Sequence, residues 1–351
     1  MQIDALGYPS DPLDAAQTAA SADRAGFDRF WIPETRSDPT LAVALAAQPA
    51  PRIGLATGIA VAFARNPMSL ATAANDLQLI TAGRFTLGIG SQVAAHITRR
   101  YNMPWSHPAA RMRDFIAAIR AIWASWDTGE RLNYQGEYYS NTLMPPFFNP
   151  GPNPHGNPAI FLAAVGPHMV RVAGEVADGL LCHTFTTERF LRETTLPALE
   201  DGRARAGRTP EEVQVSVAPM VTIAGADGPD PADLREIRRQ ISFYGATPGY
   251  RAVLDLHGLG GLADELATMA RAQRWDDMPD AIEDSVLDLF AIVGTPDQVF
   301  TEIATRYGQL AQRVCLNLTT ATNTRWKKLL PVARRRFKDI TRTTRLATSQ
   351  T

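Results

Sequence analysis

The sequence predicts a closed (β/α)8 barrel, on three observations. Short apolar runs of strand length alternate with longer amphipathic stretches along almost the whole chain. The alternation yields eight strand-like runs in one order, and the right-handed crossover rule then leaves an open doubly wound parallel sheet or a closed barrel. Eight units in 351 residues favour closure, with the whole of 1–351 as one barrel domain. Hydrophobic residues make up 45% and charged residues 20%, which fills a core and excludes a disordered chain.

Residues 2–8 read as the first strand and 12–26 as the first helix, with Asp11 as N-cap, Pro12 in the first turn and Gly26 as the stop. Residues 30–32 form a second strand, and Asp38-Pro39 opens a helix through Gln48. Residues 52–63 read as one long third strand, and Asn66-Pro67 starts the next helix. The fourth strand is 84–90, after Gly83. A long helix covers 108–126, with Phe115, Ile116, Ile119, Ile122 and Trp123 on one face. Residues 128–158 break the rhythm. They are rich in proline and glycine but filled with aromatics, and YQGEYYS suggests a small hairpin, so they read as an ordered insertion at the barrel mouth. The alternation resumes with strands at 159–164, 179–184, 213–223 and 313–319. Helices lie at 167–177, 187–206, from about 231, and at 262–274, 279–286 and 296–308. Residues 245–261 look irregular and Gly-rich, residues 287–293 are a further apolar run, and 245–290 reads as a second insertion at the mouth.

Composition removes several functions. A net charge of −1 gives no pull toward nucleic acid or anionic membrane. The basic stretch Arg334, Arg335, Arg336, Lys338, Arg342 and Arg345 reads as a solvated terminal helix. Two cysteines and six scattered histidines lack the spacing of a metal site. No apolar run reaches membrane-span length, and the first residues lack a basic leader, so the expected compartment is the cytoplasm and no membrane partner is expected. The run Leu87-Gly88-Ile89-Gly90 falls short of a dinucleotide fingerprint, because it sits on the fourth strand and Val93 takes the third glycine's place. In barrels the chemistry lies where strands end. That rule selects Glu34, residues 58–65, 91–96 and 163–168, His183 and Met220.

Four segments then carry a likeness: GFDRFWIPE, TGIAVAFARNP, TAGRFTLGIGSQ and AAVGPHMVRVAGEVADGLL. In this order and spacing the chain resembles the luciferase-like monooxygenase superfamily, in the branch that uses the deazaflavin coenzyme F-420. GSQVAAHITRRY, MPWSHPAARMR, FYGATPGYR and GTPDQV are similar to an actinobacterial subfamily of F-420-dependent oxidoreductases. The resemblance implies a homodimeric enzyme passing a hydride between F-420 and a small organic substrate. It implies a non-prolyl cis peptide at Gly58-Ile59 which, with Ala60, backs the cofactor ring. It places Ser91, Gln92 and His96 along the ribityl chain and phosphate. It places the phosphate on Ala163, Ala164, Val165, Gly166, Pro167 and His168, where a strand gives way to a helix whose free N–H groups and dipole suit an anion.

The chain departs from the family in two places. Relatives often carry Thr-Gly-Glu where this chain has Ser91-Gln92-Val93, and Val93 has no proton to give, which disfavours a sugar-phosphate dehydrogenase. Relatives often follow the second-strand carboxylate with histidine, where this chain has Thr35. Glu34 is then one candidate proton donor, its alternative being a structural carboxylate paired with Arg36 or Arg65. His183 is the other, since histidine titrates near neutrality, its alternative being a hydrogen-bonded structural residue. Arg65 and Arg113 read as anion holders or as ion-paired residues. Residues 146–148 are expected to lid an apolar substrate pocket. Two rival functions remain open: an FMN-dependent monooxygenase fed by a separate reductase, and a non-catalytic flavin-binding paralogue.

Overall fold

The computed structural model describes residues 1–317 and 328–337. Its main sheet is a ring of eight parallel strands. In hydrogen-bonding order these are Gly54–Thr57, Arg29–Ile32, Gln2–Leu6, Arg313–Asn317, Gln214–Val217, Gly179–Cys182, Ala159–Ala164 and Phe85–Gly90, which pairs back onto Gly54–Thr57. The register steps evenly, with Asp4 opposite Arg29 and Arg29 opposite Gly54. This is the (β/α)8 architecture expected from the eight strand-like runs.

The helix starts follow their caps. Asp11, Asp38 and Asn66 each accept backbone N–H groups of the first turn, with proline next in each case, so the orphan donors are satisfied and φ is preset. Gly26 ends the first helix in the left-handed region at φ 95°, which glycine adopts without a Cβ penalty.

Three elements differ from expectation. The third strand is not continuous over 52–63. It stops at Thr57, resumes as Ala60–Val61, and turns into a 3-10 helix, Ala62–Ala64. The stretch 213–223 is two strands. The second, Met220–Ile223, leaves the barrel and pairs in parallel with Ala291–Gly294. Residues 245–261 are mostly helical, with a turn at Pro248–Tyr250 and a helix at Arg251–Leu256. Of the C-terminal basic stretch, Arg334, Arg335 and Arg336 lie on a helix described over 328–337; Arg336 pairs with Asp297 and Phe337 packs edge-on against Phe300. Lys338, Arg342 and Arg345 lie outside the described residues.

Contacts divide the chain into two compact units, Asp4–Leu181 with Ala198–Gln214, and Met1–Ile3 with Cys182–Pro197 and Val215–Thr351. In the first, Phe30, Trp31, Phe63, Phe115 and Trp123 are fully buried. The Trp31 indole N–H donates to buried Asp4 at 2.9 Å, and the Trp123 indole donates to the Ala71 carbonyl, so neither core tryptophan strands its donor. In the second, Phe185, Met220, Ile241, Leu254, Leu266 and Phe290 form a hydrophobic cluster that absorbs the helices of 245–290.

Residues 128–158 contain the expected hairpin, Tyr134–Gln135 against Ser140–Asn141. Asp114, buried on the helix Pro108–Thr128, clips it in place. Its carboxylate accepts the Tyr134 hydroxyl and the N–H groups of Tyr138 (2.5 Å) and Tyr139 (3.0 Å). Burial, reinforced by Asp114, raises the Tyr134 phenol and keeps it a donor. Asp114→Ala should cost about 3 kcal/mol, because it leaves two amides without partners. Urea unfolding measures that loss, and limited proteolysis should show new cleavage within 133–141; an unchanged digest would contradict the clip.

Candidate functional site

In the first unit the ends of three strands meet. A Cβ placed on Gly90 would lie 3.2 Å from the Ile59 side chain and 3.6 Å from Ala163, and Val61 is in register with Gly90. The 58–60 segment, the loop from Ser91 and the turn beginning at Ala163 are therefore neighbours. The Gly58-Ile59 peptide is cis. Ser91 and Gln92 are partly accessible and His96 is exposed. Gln92 has a positive φ of 59° and accepts the Val93 N–H with its own side chain. His96 opens a wide helical turn, His96–Arg100.

The turn after the fifth strand runs into the helix Pro167–Val176, whose N-cap is Gly166 with no side-chain cap. A Cβ on Gly166 would meet nothing within 4 Å. The first turn thus lacks a side-chain cap and has open space beside its N-cap, which suits a phosphate. His168 is exposed beside Arg171, which pairs with Asp201.

Glu34 is a brace. Its Oε2 accepts the Val61 N–H at 2.8 Å and the Arg65 guanidinium at 2.6 Å, and its Oε1 accepts the Tyr101 hydroxyl at 2.9 Å. Its backbone N–H also holds the Ile59 carbonyl. Arg65 reaches on to Asp38 at 2.7 Å and to the Val61 carbonyl. Burial opposes charge on Arg65, but Glu34 and Asp38 outweigh it and raise its pKa. Burial and Glu34 together raise the Tyr101 phenol. A carboxylate that accepts three donors, one a guanidinium, holds the 58–61 segment. Of the two readings of Glu34, the geometry matches the Arg65-paired one. Arg65 and Arg113 are both ion-paired, Arg113 with Glu175.

His183 lies in the second unit, just past the strand Gly179–Cys182. Its Nδ1 accepts the Phe185 N–H at 3.0 Å and its Nε2 faces the Tyr250 hydroxyl at 3.3 Å. Burial pushes its pKa down to about 4. It is neutral near pH 7, which removes the expectation that it acts there as an imidazolium acid. The unfolded imidazole titrates near 6.5, so the stability from keeping it neutral is complete above that pH and lost as pH falls toward 4. Between pH 7.5 and pH 5 the protein should lose about 2 kcal/mol through this group. Urea unfolding of wild type and His183→Gln at both pH values measures it; equal losses in the two proteins would contradict it.

Residues 146–148, the expected lid, carry their rings at the surface. Phe147 is 91% and Phe148 68% exposed, packed edge-on against each other. Met220 is a core residue of the second unit. Sequence reasoning missed Tyr101, whose partner Glu34 is 67 residues away, and Tyr244 and Tyr250. Those two lie in the FYGATPGYR motif, which was the available signal.

Comparison with known proteins places this architecture. The chain is 44% identical over 306 residues to an uncharacterised protein, Rv1360, of Mycobacterium tuberculosis, covering 87% of this chain and 90% of that one. It is 31% identical over 298 residues to a protein of Beutenbergia cavernae named F420-dependent glucose-6-phosphate dehydrogenase, covering 78% and 84%. Among solved structures, a coenzyme F420-dependent tetrahydromethanopterin reductase from Methanopyrus kandleri superposes with a TM-score of 0.77 at 20% identity, over 94% and 96% of the two chains. The luciferase-like monooxygenase family matches residues 2–313, and the chain belongs to that family.

Proposed function

We propose that this protein is an oxidoreductase that uses coenzyme F-420 and acts on a small organic substrate other than a sugar phosphate. The observation that carries the reading is the meeting of Ile59, Gly90 and Ala163 at adjacent strand ends, which gathers in one compact unit the segments the family resemblance assigns to the cofactor. Gly58, Ile59 and Ala60 back the ring, and Glu34 with Arg65 keeps that segment in place. Ser91, Gln92 and His96 offer hydroxyl, amide and imidazole groups to the polar chain. The turn of Ala163, Ala164, Val165, Gly166, Pro167 and His168 offers uncapped amides to the phosphate. The donor set therefore fits an anionic flavin-like molecule. When bound, the deazaflavin supplies a two-electron hydride couple; the protein orients it and excludes water. Val93 stands where sugar-phosphate dehydrogenases of the family carry glutamate.

Gly166→Asp tests the phosphate seat. Aspartate is a better N-cap than glycine and enters open space, so thermal stability should hold or rise. Its charge repels an anion, so F-420 affinity should fall about tenfold or more. Unchanged affinity would remove the phosphate from this turn. The homodimer implied by the resemblance would cover Leu41, Leu45, Leu79 and Ile80, which are exposed on two helices of the first unit. Leu45→Glu with Ile80→Glu should give monomers by light scattering, and a dimer of unchanged mass would move the interface elsewhere.

A further inference from the structure

In the second unit, His183 is the centre of a ring cluster that the cofactor assignment does not use. Neutral His183 carries one proton, and the Phe185 N–H occupies Nδ1, so that proton sits on Nε2, facing the Tyr250 oxygen at 3.3 Å. With Nε2–H donating to it, Tyr250 keeps its own O–H for another acceptor. The surrounding walls are aromatic. Tyr250 stacks on His183 at 4.6 Å, and Tyr244 meets His183 edge-on at 4.6 Å. Phe243, exposed at the surface, links Tyr244 to exposed Trp275. His183, Tyr244 and Tyr250 are all partly accessible.

We propose that Tyr250, oriented by His183, donates a hydrogen bond to the oxygen of an uncharged, flat carbonyl compound lying against these rings. The walls favour a planar ligand, since offset and edge-on ring contacts add to area burial. The class is uncharged because, among the described residues, no arginine or lysine acts on this pair: burial alone lowers His183, and burial with Tyr244 raises Tyr250 to about 12. A desolvated anion there would lack a cation. A phenol held that far above neutrality stays a donor at working pH. As a statement about the substrate of the oxidoreductase, this rests on the function proposed above; as a statement about binding it does not.

The test uses the full-length protein and acetophenone as the aryl ketone probe, with ethylbenzene as its counterpart lacking the oxygen. Calorimetric titration compares wild type with Tyr250→Phe, which keeps the stacked ring. Acetophenone should bind about 5- to 10-fold more weakly to the variant, the worth of one neutral hydrogen bond, while ethylbenzene binds both proteins equally. His183 is a positioning residue, so its readout is spectroscopic: the 15N shift of Nε2 should move with acetophenone and not with ethylbenzene. Equal acetophenone affinity in the two proteins, a silent Nε2, or no binding to wild type would overturn the proposal. F-420 titrated in parallel separates the two readings. Tyr250-dependent acetophenone binding without F-420 binding supports this site and removes the cofactor, and F-420 binding with no Tyr250 effect does the reverse.

Discussion

Replacing Arg65 with alanine should destabilise the protein by about 3–5 kcal/mol, the usual cost of removing one partner from a buried ion pair. The Glu34 and Arg65 side chains are only 8% and 17% exposed, so the orphaned carboxylate has little water to turn to. The loss also reaches the site, since Glu34 holds the Val61 amide and the Ile59 carbonyl. Urea unfolding measures the cost, and a loss below about 1 kcal/mol, the range of surface pairs, would contradict the brace. Glu34→Gln separates the two roles of that residue. A brace predicts that stability and cofactor affinity fall together. A proton donor predicts that turnover falls while both are kept. Asp38 adds a pH signature. Burial alone would raise its carboxyl, but hydrogen bonds from Thr40 and the Arg65 guanidinium outweigh burial and hold it below its ordinary value. Its contribution is therefore complete above the ordinary carboxylate range and is lost as pH falls through the lowered pKa.

Gly88→Ala should cost about 3 kcal/mol or more, at the upper end of overpacking effects. A Cβ at this position would overlap the Thr57 carbonyl oxygen and press on the Trp31 ring at 3.0 Å. Thr57 is fully buried and locked to Gly88 twice: its hydroxyl donates to the Gly88 carbonyl at 2.7 Å and accepts the Gly88 N–H at 2.9 Å. Backbone pinned on both sides cannot yield. The glycines of Leu87-Gly88-Ile89-Gly90 thus serve close approach between strands. Gly166→Ala is the control, since it enters open space. Thermal melts of both variants test this, and a Gly88→Ala protein as stable as the control would refute the packing argument.

The barrel was legible because its signals are local. Asp11, Asp38 and Asn66 announce helices from their own neighbourhoods, and the apolar runs reveal their strands by composition. Where tertiary structure interrupts an apolar run, composition is blind. Residues 52–63 read as one strand because nothing in GIAVAF marks the break after Thr57, and 213–223 hid the departure of Met220–Ile223 from the ring. Residues 245–261 looked irregular because glycine and proline punctuate short helices as they do loops. At the site, the cis bond at Gly58-Ile59 followed from motif order alone. The brace is half legible: the sequence offers Arg65 as a partner for Glu34, but Tyr101 is too distant in sequence to be seen. His183 was singled out by position, whereas its neutrality depends on Tyr244 and Tyr250, more than sixty residues on, closing around it.

The most direct test of the central claim is a side-by-side titration of the purified protein with F-420 and FMN, followed by calorimetry. The proposed function predicts micromolar or tighter F-420 binding, about −8 kcal/mol or better, with FMN at least about tenfold weaker. Preferential FMN binding would point to an FMN-dependent monooxygenase fed by a separate reductase, and binding of neither would contradict the cofactor assignment altogether.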